Sequence, residues 1–359
     1  MSIRYQNGDL LNAAVEAVVN TVNTRGVMGK GIALQVKQRW PEVDRAYRAA
    51  SKRGEVALGK MFVVERGALG DGPQFVINFP TKDHWRSRSK LTDIEAGLDD
   101  LRAVIEKLDI TSVAVPPLGC GYGGLKWSDV RPLIEEALTS LDAVDVVVYP
   151  PDGTPNPAQM KVGTKRPAMS PTLAGLVSLL DRYWADVLGI TDIEIQKLAY
   201  FLGVRRPALH LEFARGHYGP YCDDLQHVLV RAEGHYLRGY GDRSRRPWET
   251  SQLAVLPDAA GDAERVITHQ AGMSADIEAV QQLVEGFEGA WSMELLSTVH
   301  WVTHQSADAA RTPAEARAAI AQWSDRKNRL FTPDDIDDAW NHLEKLGWLN
   351  EPVEAATLF

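Results

Sequence analysis

Cysteine is almost missing from this chain of 359 residues, with only Cys120 and Cys222 present. Two thiols cannot build a disulfide framework or a cysteine-based zinc site, and a reducing cytoplasm is the expected location. Long apolar runs are missing too: no stretch would span a bilayer, and residues 1–11 lack a secretory leader pattern. His210, His217, His227 and His235 have no ligand spacing with Cys or clustered carboxylates, so neither metal nor cofactor is expected. Internal repeats and low-complexity tracts are likewise absent from the sequence. With 45% hydrophobic and 24% charged residues, the composition suits a soluble protein of about two domains.

Charge is unevenly spread. The net charge is −9, and residues 170–359 carry 17 Lys and Arg against 28 Asp and Glu, whereas residues 1–169 carry 22 against 20. An acidic half serves solubility, or forms a surface for a basic partner such as a nucleic-acid-binding protein whose groove it occupies. The run Asp334-Asp335-Ile336-Asp337-Asp338, after Thr332-Pro333, reads as the acidic first turn of a helix.

Residues 1–150 alternate short β-like runs with helical patterns. Ile3–Gln6, Ala17–Val22, Lys60–Glu65, Gln74–Phe79, Ser112–Pro116 and Val144–Tyr149 have the Val, Ile and aromatic content of buried strands. Helices are predicted at Ile32–Lys52, Thr92–Leu108 and Ser128–Leu141, with Thr92 and Ser128 as N-caps. The fold class is therefore α/β, a mixed sheet flanked by helices, followed by a mainly α-helical domain. A Pro-rich linker is predicted at 151–171 and the helical domain at 172–359, with helices at Leu173–Leu188, Asp192–Leu202, Asp223–Leu237, Ser274–Phe287, Met293–Thr303, Thr312–Ser324 and Pro333–Leu346.

Two glycine-rich segments carry the chemistry: Gly26-Val27-Met28-Gly29-Lys30-Gly31 and Gly119-Cys120-Gly121-Tyr122-Gly123-Gly124. Each follows a β-like run and opens into a helical pattern, so main-chain N–H groups and a helix N-terminus converge on an anion. Two such loops in one domain suit a ligand with two phosphates and flanking sugars. Around them lie Asn7-Gly8-Asp9-Leu10-Leu11 and Val19-Asn20-Thr21-Val22-Asn23. Singly, these signals also describe turns: Asp9 could cap a short helix, and an Asn could close a strand end. Their order and spacing together are the stronger signal.

These motifs resemble the macrodomain, the ADP-ribose-binding α/β module, over residues 1–150. The resemblance implies that Asp9 accepts a hydrogen bond from adenine, that Asn23 holds the distal ribose, and that the amides of 29–31 and 119–124 wrap the pyrophosphate and that ribose. The implied ADP-ribose set comprises Asp9, Leu10, Asn20, Asn23, Gly29, Lys30, Gly31, Ile32, Thr81 and the run Pro117, Leu118, Gly119, Cys120, Gly121, Tyr122, Gly123 and Gly124. Met28-Gly29-Lys30-Gly31-Ile32-Ala33 and Asn78-Phe79-Pro80-Thr81-Lys82-Asp83-His84-Trp85 are similar to the branch containing the terminal ADP-ribose protein glycohydrolase and the DarG antitoxins. That resemblance implies Lys82 as the catalytic residue, ADP-ribosylated single-stranded DNA as substrate, and a DarT-type ADP-ribosyltransferase toxin as the partner of the helical domain. The human enzyme of this branch has an acidic residue in its second glycine loop, where this sequence has none. Ile193–Phe201 with Tyr218-Gly219-Pro220 weakly resembles a second helical antitoxin domain, Panacea.

Releasing ADP-ribose from a base nitrogen passes through an oxocarbenium-like transition state, with charge building on the departing base. An ammonium at Lys82 could stabilise or protonate that base, and a neutral amine could instead attack the sugar. Asp83 and His84 are candidates to activate water. Trp85, Arg86 and Arg88 form a short basic and aromatic stretch suited to gripping a DNA strand, or simply to keeping a loop soluble. Two other functions remain open at this point: a non-catalytic ADP-ribose reader, and a glycohydrolase acting on ADP-ribosylated protein carboxylates.

Overall fold

The computed structural model describes residues 3–67, 72–151, 160–183, 189–304 and 309–349. The chain divides into two compact units: 1–165 with the tripeptide Asp242–Ser244, and 166–241 with 245–359. Residues 152–159 of the expected linker lie outside the described residues. Beyond them, Gly163 N–H donates to the Gln38 carbonyl at 2.9 Å, within the first unit.

The first unit runs β1 (Arg4–Tyr5), β2 (Ala17–Asn23), α1 (Gly31–Arg39), α2 (Pro41–Lys52), β3 (Phe62–Glu65), β4 (Phe75–Lys82), α3 (Leu91–Lys107), β5 (Ser112–Val115), α4 (Trp127–Leu138) and β6 (Asp145–Val148). The six strands make one sheet, ordered β1-β6-β5-β2-β4-β3, parallel except for β3. The interior strands are buried on both faces, which is why they read as continuous apolar runs. Along β2, Ala17 and Val19 join a core with Ile94, Leu98 and Leu101 of α3 and Val130 and Ile134 of α4. Val18 and Val22 face the other way, packing with Ala33 and Val36 of α1 and Val43 and Tyr47 of α2.

Three local expectations change. The single helix expected at Ile32–Lys52 is two, because Pro41 at the start of α2 cannot donate to the preceding turn. Thr92 and Ser128 lie inside their helices, whose N-caps are Lys90 and Lys126, with no side-chain cap bond. β4 reaches Lys82 rather than ending at Phe79, so the Thr-Lys pair belongs to the strand.

The second unit contains α5 (Pro171–Tyr183), α6 (Asp192–Arg205), β7 (Ala214–Gly216), β8 (Gly219–Tyr221), α7 (Asp223–Ala232), β9 (Leu237–Arg238), β10 (Ala254–Val255), α8 (Pro257–Thr268), α9 (Met273–Val284), α10 (Ala290–His304), α11 (Pro313–Trp323), α12 (Asp325–Leu330) and α13 (Pro333–Lys345). It is mostly helical, as expected, although residues 184–188 of the first predicted helix lie outside the described residues. The helix expected at Asp223–Leu237 stops at Ala232. Glu233 turns the chain there, its buried carboxylate accepting the N–H groups of Gly239 and Tyr240. Helix α8 and the two short hairpin pairings, β7–β8 and β9–β10, were not foreseen. The acidic run does open a helix: Thr332 and Asp335 form a capping box at the start of α13. Among the described residues, no helix is long and apolar enough to cross a membrane.

Candidate functional site

Strand β2 lies between β5 and β4 and runs parallel to both. Their carboxyl ends therefore emerge side by side. The first glycine loop leaves β2, the second leaves β5, and Lys82 is the last residue of β4. A ligand crevice is expected beyond such strand ends.

The first loop is held by its own side chains. The Asn23 carboxamide oxygen accepts from Arg25 N–H at 2.9 Å and Val27 N–H at 3.4 Å, while its Nδ2 donates to the Val27 carbonyl at 2.7 Å. Beneath it, the buried Tyr47 hydroxyl of α2 donates to the Asn23 carbonyl, and the Ser51 hydroxyl donates to the Thr24 carbonyl. Gly31 starts α1 at φ +58, and Lys30 before it makes no side-chain cap bond. Within this unit, Gly31 N–H donates to the Asp242 carbonyl at 3.1 Å and the Tyr122 hydroxyl to the Arg243 carbonyl at 2.9 Å. Lys30 is exposed, Gly29 and Ile32 are half-buried, and the Lys30 ammonium lies 5.0 Å from the centre of the Tyr122 ring.

The second loop is tighter. Gly119 has φ +71, Cys120 N–H donates to Pro117, and Leu125 N–H returns to the Gly119 carbonyl at 3.1 Å. A methyl group on Gly123 would come within 2.3 Å of both the Gly119 carbonyl oxygen and the Ser89 hydroxyl. Ser89 N–H donates to the Gly123 carbonyl at 3.0 Å, fastening the segment after Lys82 to this loop. Gly121 and Gly124 are exposed, Pro117 is half-buried, and Leu118 lies in the core. Burial pushes the Cys120 thiol up to about 11, which leaves it a poor nucleophile at neutral pH.

The Lys82 ammonium donates to the Tyr122 carbonyl at 3.2 Å. Burial lowers its pKa, and no carboxylate within ion-pair reach opposes that among the described residues. Asp83 does not point to this ammonium. Its carboxylate accepts from the Thr24 hydroxyl at 2.5 Å and from Arg25 at 2.9 Å, which together hold it below the usual carboxylate range. His84 stacks on Trp85 with ring centres 3.7 Å apart, and its Nδ1 accepts from Arg86 N–H. Trp85, Arg86 and Arg88 are exposed.

Three expected ligand residues have roles inside the fold. Asp9 caps the turn Leu10–Asn12, one oxygen accepting from Leu11 N–H at 2.9 Å and the other from the Asn12 side chain at 2.8 Å, and Leu10 is buried. Asn20 is fully buried, its Nδ2 donating to Asn78 at 2.8 Å, so it joins β2 to β4 inside the sheet. Thr81 is buried with its hydroxyl on the Val22 carbonyl. Sequence reasoning passed over Tyr47 and Ser89. Tyr47 reads as one more apolar helix position, and a lone Ser gives no signal.

The family model of the Macro domain matches residues 19–134. The chain is 44% identical over 353 residues to a DNA ADP-ribosyl glycohydrolase of Mycobacterium tuberculosis, covering 95% of this chain and 99% of that one. It is 41% identical over 347 residues to one from Thermus aquaticus, covering 97% and 94%. A DNA ADP-ribosyl transferase-DNA ADP-ribosyl glycohydrolase fusion protein of Thermosipho africanus matches at 37% identity over 158 residues, 40% of each chain.

Proposed function

The chain belongs to the family of macrodomain DNA ADP-ribosyl glycohydrolases, and from that membership we propose that it frees thymidine in single-stranded DNA from ADP-ribose by hydrolysing the N-glycosidic bond. The observation that carries the reading is the position of Lys82, half-buried at the end of β4 beside the strands that deliver both glycine loops. The loop amides hold the pyrophosphate and distal ribose. The Lys82 ammonium donates a proton to the departing thymine nitrogen, and water adds its oxygen to the anomeric carbon and loses a proton to solvent, from which Lys82 is protonated again. A covalent lysine–sugar route lacks support, because among the described residues no carboxylate stands by Lys82 to take its proton.

For the second unit, we infer that it binds a DarT-type ADP-ribosyltransferase in the cytoplasm. The excess of 28 acidic over 17 basic residues in 170–359 suits a basic nucleic-acid groove. The fused transferase and glycohydrolase of Thermosipho africanus is consistent with such a pairing. Complex affinity that falls steeply with added salt supports this surface, and a salt-insensitive complex counts against it.

The decisive experiment treats a thymidine-ADP-ribosylated oligonucleotide with the wild type and Lys82→Ala, read by mass. Unmodified DNA from the wild type alone establishes the hydrolase and the role of Lys82. Bound ADP-ribose without turnover means a reader. Turnover of glutamate-linked ADP-ribose in place of DNA transfers the reaction to protein.

A further inference from the structure

The carboxylate nearest to Lys82 in sequence has been given no task by the reaction. Asp83 directly follows the lysine, yet its side chain turns to the first glycine loop, while the Lys82 ammonium reaches the Tyr122 carbonyl of the second. Both carboxylate oxygens are occupied, one by the Thr24 hydroxyl and one by the Arg25 guanidinium at 2.9 Å. The main chain repeats the connection: Thr24 N–H lies between the carbonyls of Lys82 at 3.2 Å and Asp83 at 3.1 Å. From the opposite side the same turn is held by Tyr47 and Ser51 of α2. The turn after Asn23 is thus gripped between α2 and the residue that follows the lysine.

We propose that Asp83 is a positioning residue for this reaction: it fastens the Thr24–Arg25 turn to the end of β4 and so sets the distance between the ribose held at the first loop and the Lys82 ammonium. The proposal rests on the reading of Lys82 as the catalytic residue. It also assigns Asp83 a role other than activating water. A carboxylate that already accepts from a hydroxyl and a guanidinium, and is held below the usual range by them, is a weak base.

The pair is open to solvent, with side-chain exposures of 56% for Arg25 and 54% for Asp83, and such pairs add little to stability. Removing it therefore separates positioning from folding. Displacing a reacting group by about 1 Å can cost on the order of 10²-fold in rate.

The test uses the full-length chain as wild type, Asp83→Ala, Asp83→Asn and Lys82→Ala, with single-turnover rates on the ADP-ribosylated oligonucleotide, calorimetric ADP-ribose affinity, melting temperature and pH–rate profiles. Asp83→Ala is expected to lose about 10- to 100-fold in rate, with melting temperature and ADP-ribose affinity unchanged. Asp83→Asn, whose amide oxygen still accepts from Thr24, recovers most of the rate with an unchanged acid limb. Wild-type rate in Asp83→Ala beside an inactive Lys82→Ala overturns the proposal alone. So does an Asp83→Asn as slow as Asp83→Ala with the acid limb lost, which makes Asp83 the general base. Full activity in Lys82→Ala removes the premise and the proposal together.

Discussion

Asn23 of β2 pairs with Lys82 of β4, whereas the residue before it, Val22, pairs with Pro80. Thr81 is the extra residue, and its hydroxyl fixes the irregularity by donating to the Val22 carbonyl. A bulge re-aims the side chains that follow it. Here it sets the asparagine that shapes the first glycine loop directly across from the lysine assigned to the chemistry.

The pH dependence of turnover tells the two roles of Lys82 apart. Burial lowers its pKa from the ordinary value of 10.5. An ammonium donor is competent below its pKa, so the rate falls as pH rises through it, in a range below that of a free lysine. A nucleophilic amine gives the opposite slope. Lys82→Ala is expected to lose about 10²–10⁴-fold in kcat with ADP-ribose still bound, measured from pH 6 to 10.5.

Two glycines of one loop separate close packing from mere composition. Gly123→Ala places a methyl group against the Gly119 carbonyl and Ser89, whereas Gly121→Ala meets nothing within 4 Å. Calorimetry should show at least a tenfold weaker ADP-ribose complex for Gly123→Ala, about 1.4 kcal/mol. Gly121→Ala should bind like the wild type. Wild-type affinity in both variants would mean that the second loop does not touch the ligand.

The exposed Trp85 and Arg86 are expected to act on DNA and not on ADP-ribose. Trp85→Ala should weaken oligonucleotide binding by about 1–3 kcal/mol through lost stacking. Arg86→Glu should raise KM and flatten its salt dependence. Free ADP-ribose binding stays as in the wild type in both variants. A parallel loss of ADP-ribose affinity would place these residues at the nucleotide pocket instead.

Stability of the second unit depends on a buried charge cluster. Lys327, fully buried, donates to Glu294 at 2.6 Å and to Thr298 at 3.0 Å, and Arg326 closes on the same carboxylate. Glu294→Ala leaves Lys327 without its counter-charge, and denaturant melts should show a loss of about 3–5 kcal/mol. Burial favours the protonated acid at Glu294, but Arg326 and Lys327 outweigh it and its pKa is lowered. Its contribution is therefore complete above the unfolded value of 4.5 and is lost as pH falls through the lower folded value. The variant and the wild type should accordingly converge in acid.

Much of the site was legible in the order of its parts. Glycine runs after apolar strands mark tight loops because few other residues allow that backbone, and Lys82 stood out because its surrounding motif did. Asn20, expected among the ligand residues, is engaged within the sheet. It has the same face of β2 as Val18 and Val22, toward the inner core, so its amide is spent on Asn78 within the sheet. Periodicity without the Pro41 signal likewise merged α1 and α2.

The sequence by itself determined the layered α/β domain, the places of the two glycine loops and the helical second half, since each follows from local patterns of apolar period, glycine and proline. Only the tertiary structure decided which strand ends are neighbours, that Thr81 bulges so that Asn23 meets Lys82, and that Asp83 turns to Thr24 and Arg25. Those relations join residues about sixty positions apart, where strand order and side-chain packing, and no local propensity, set the distance.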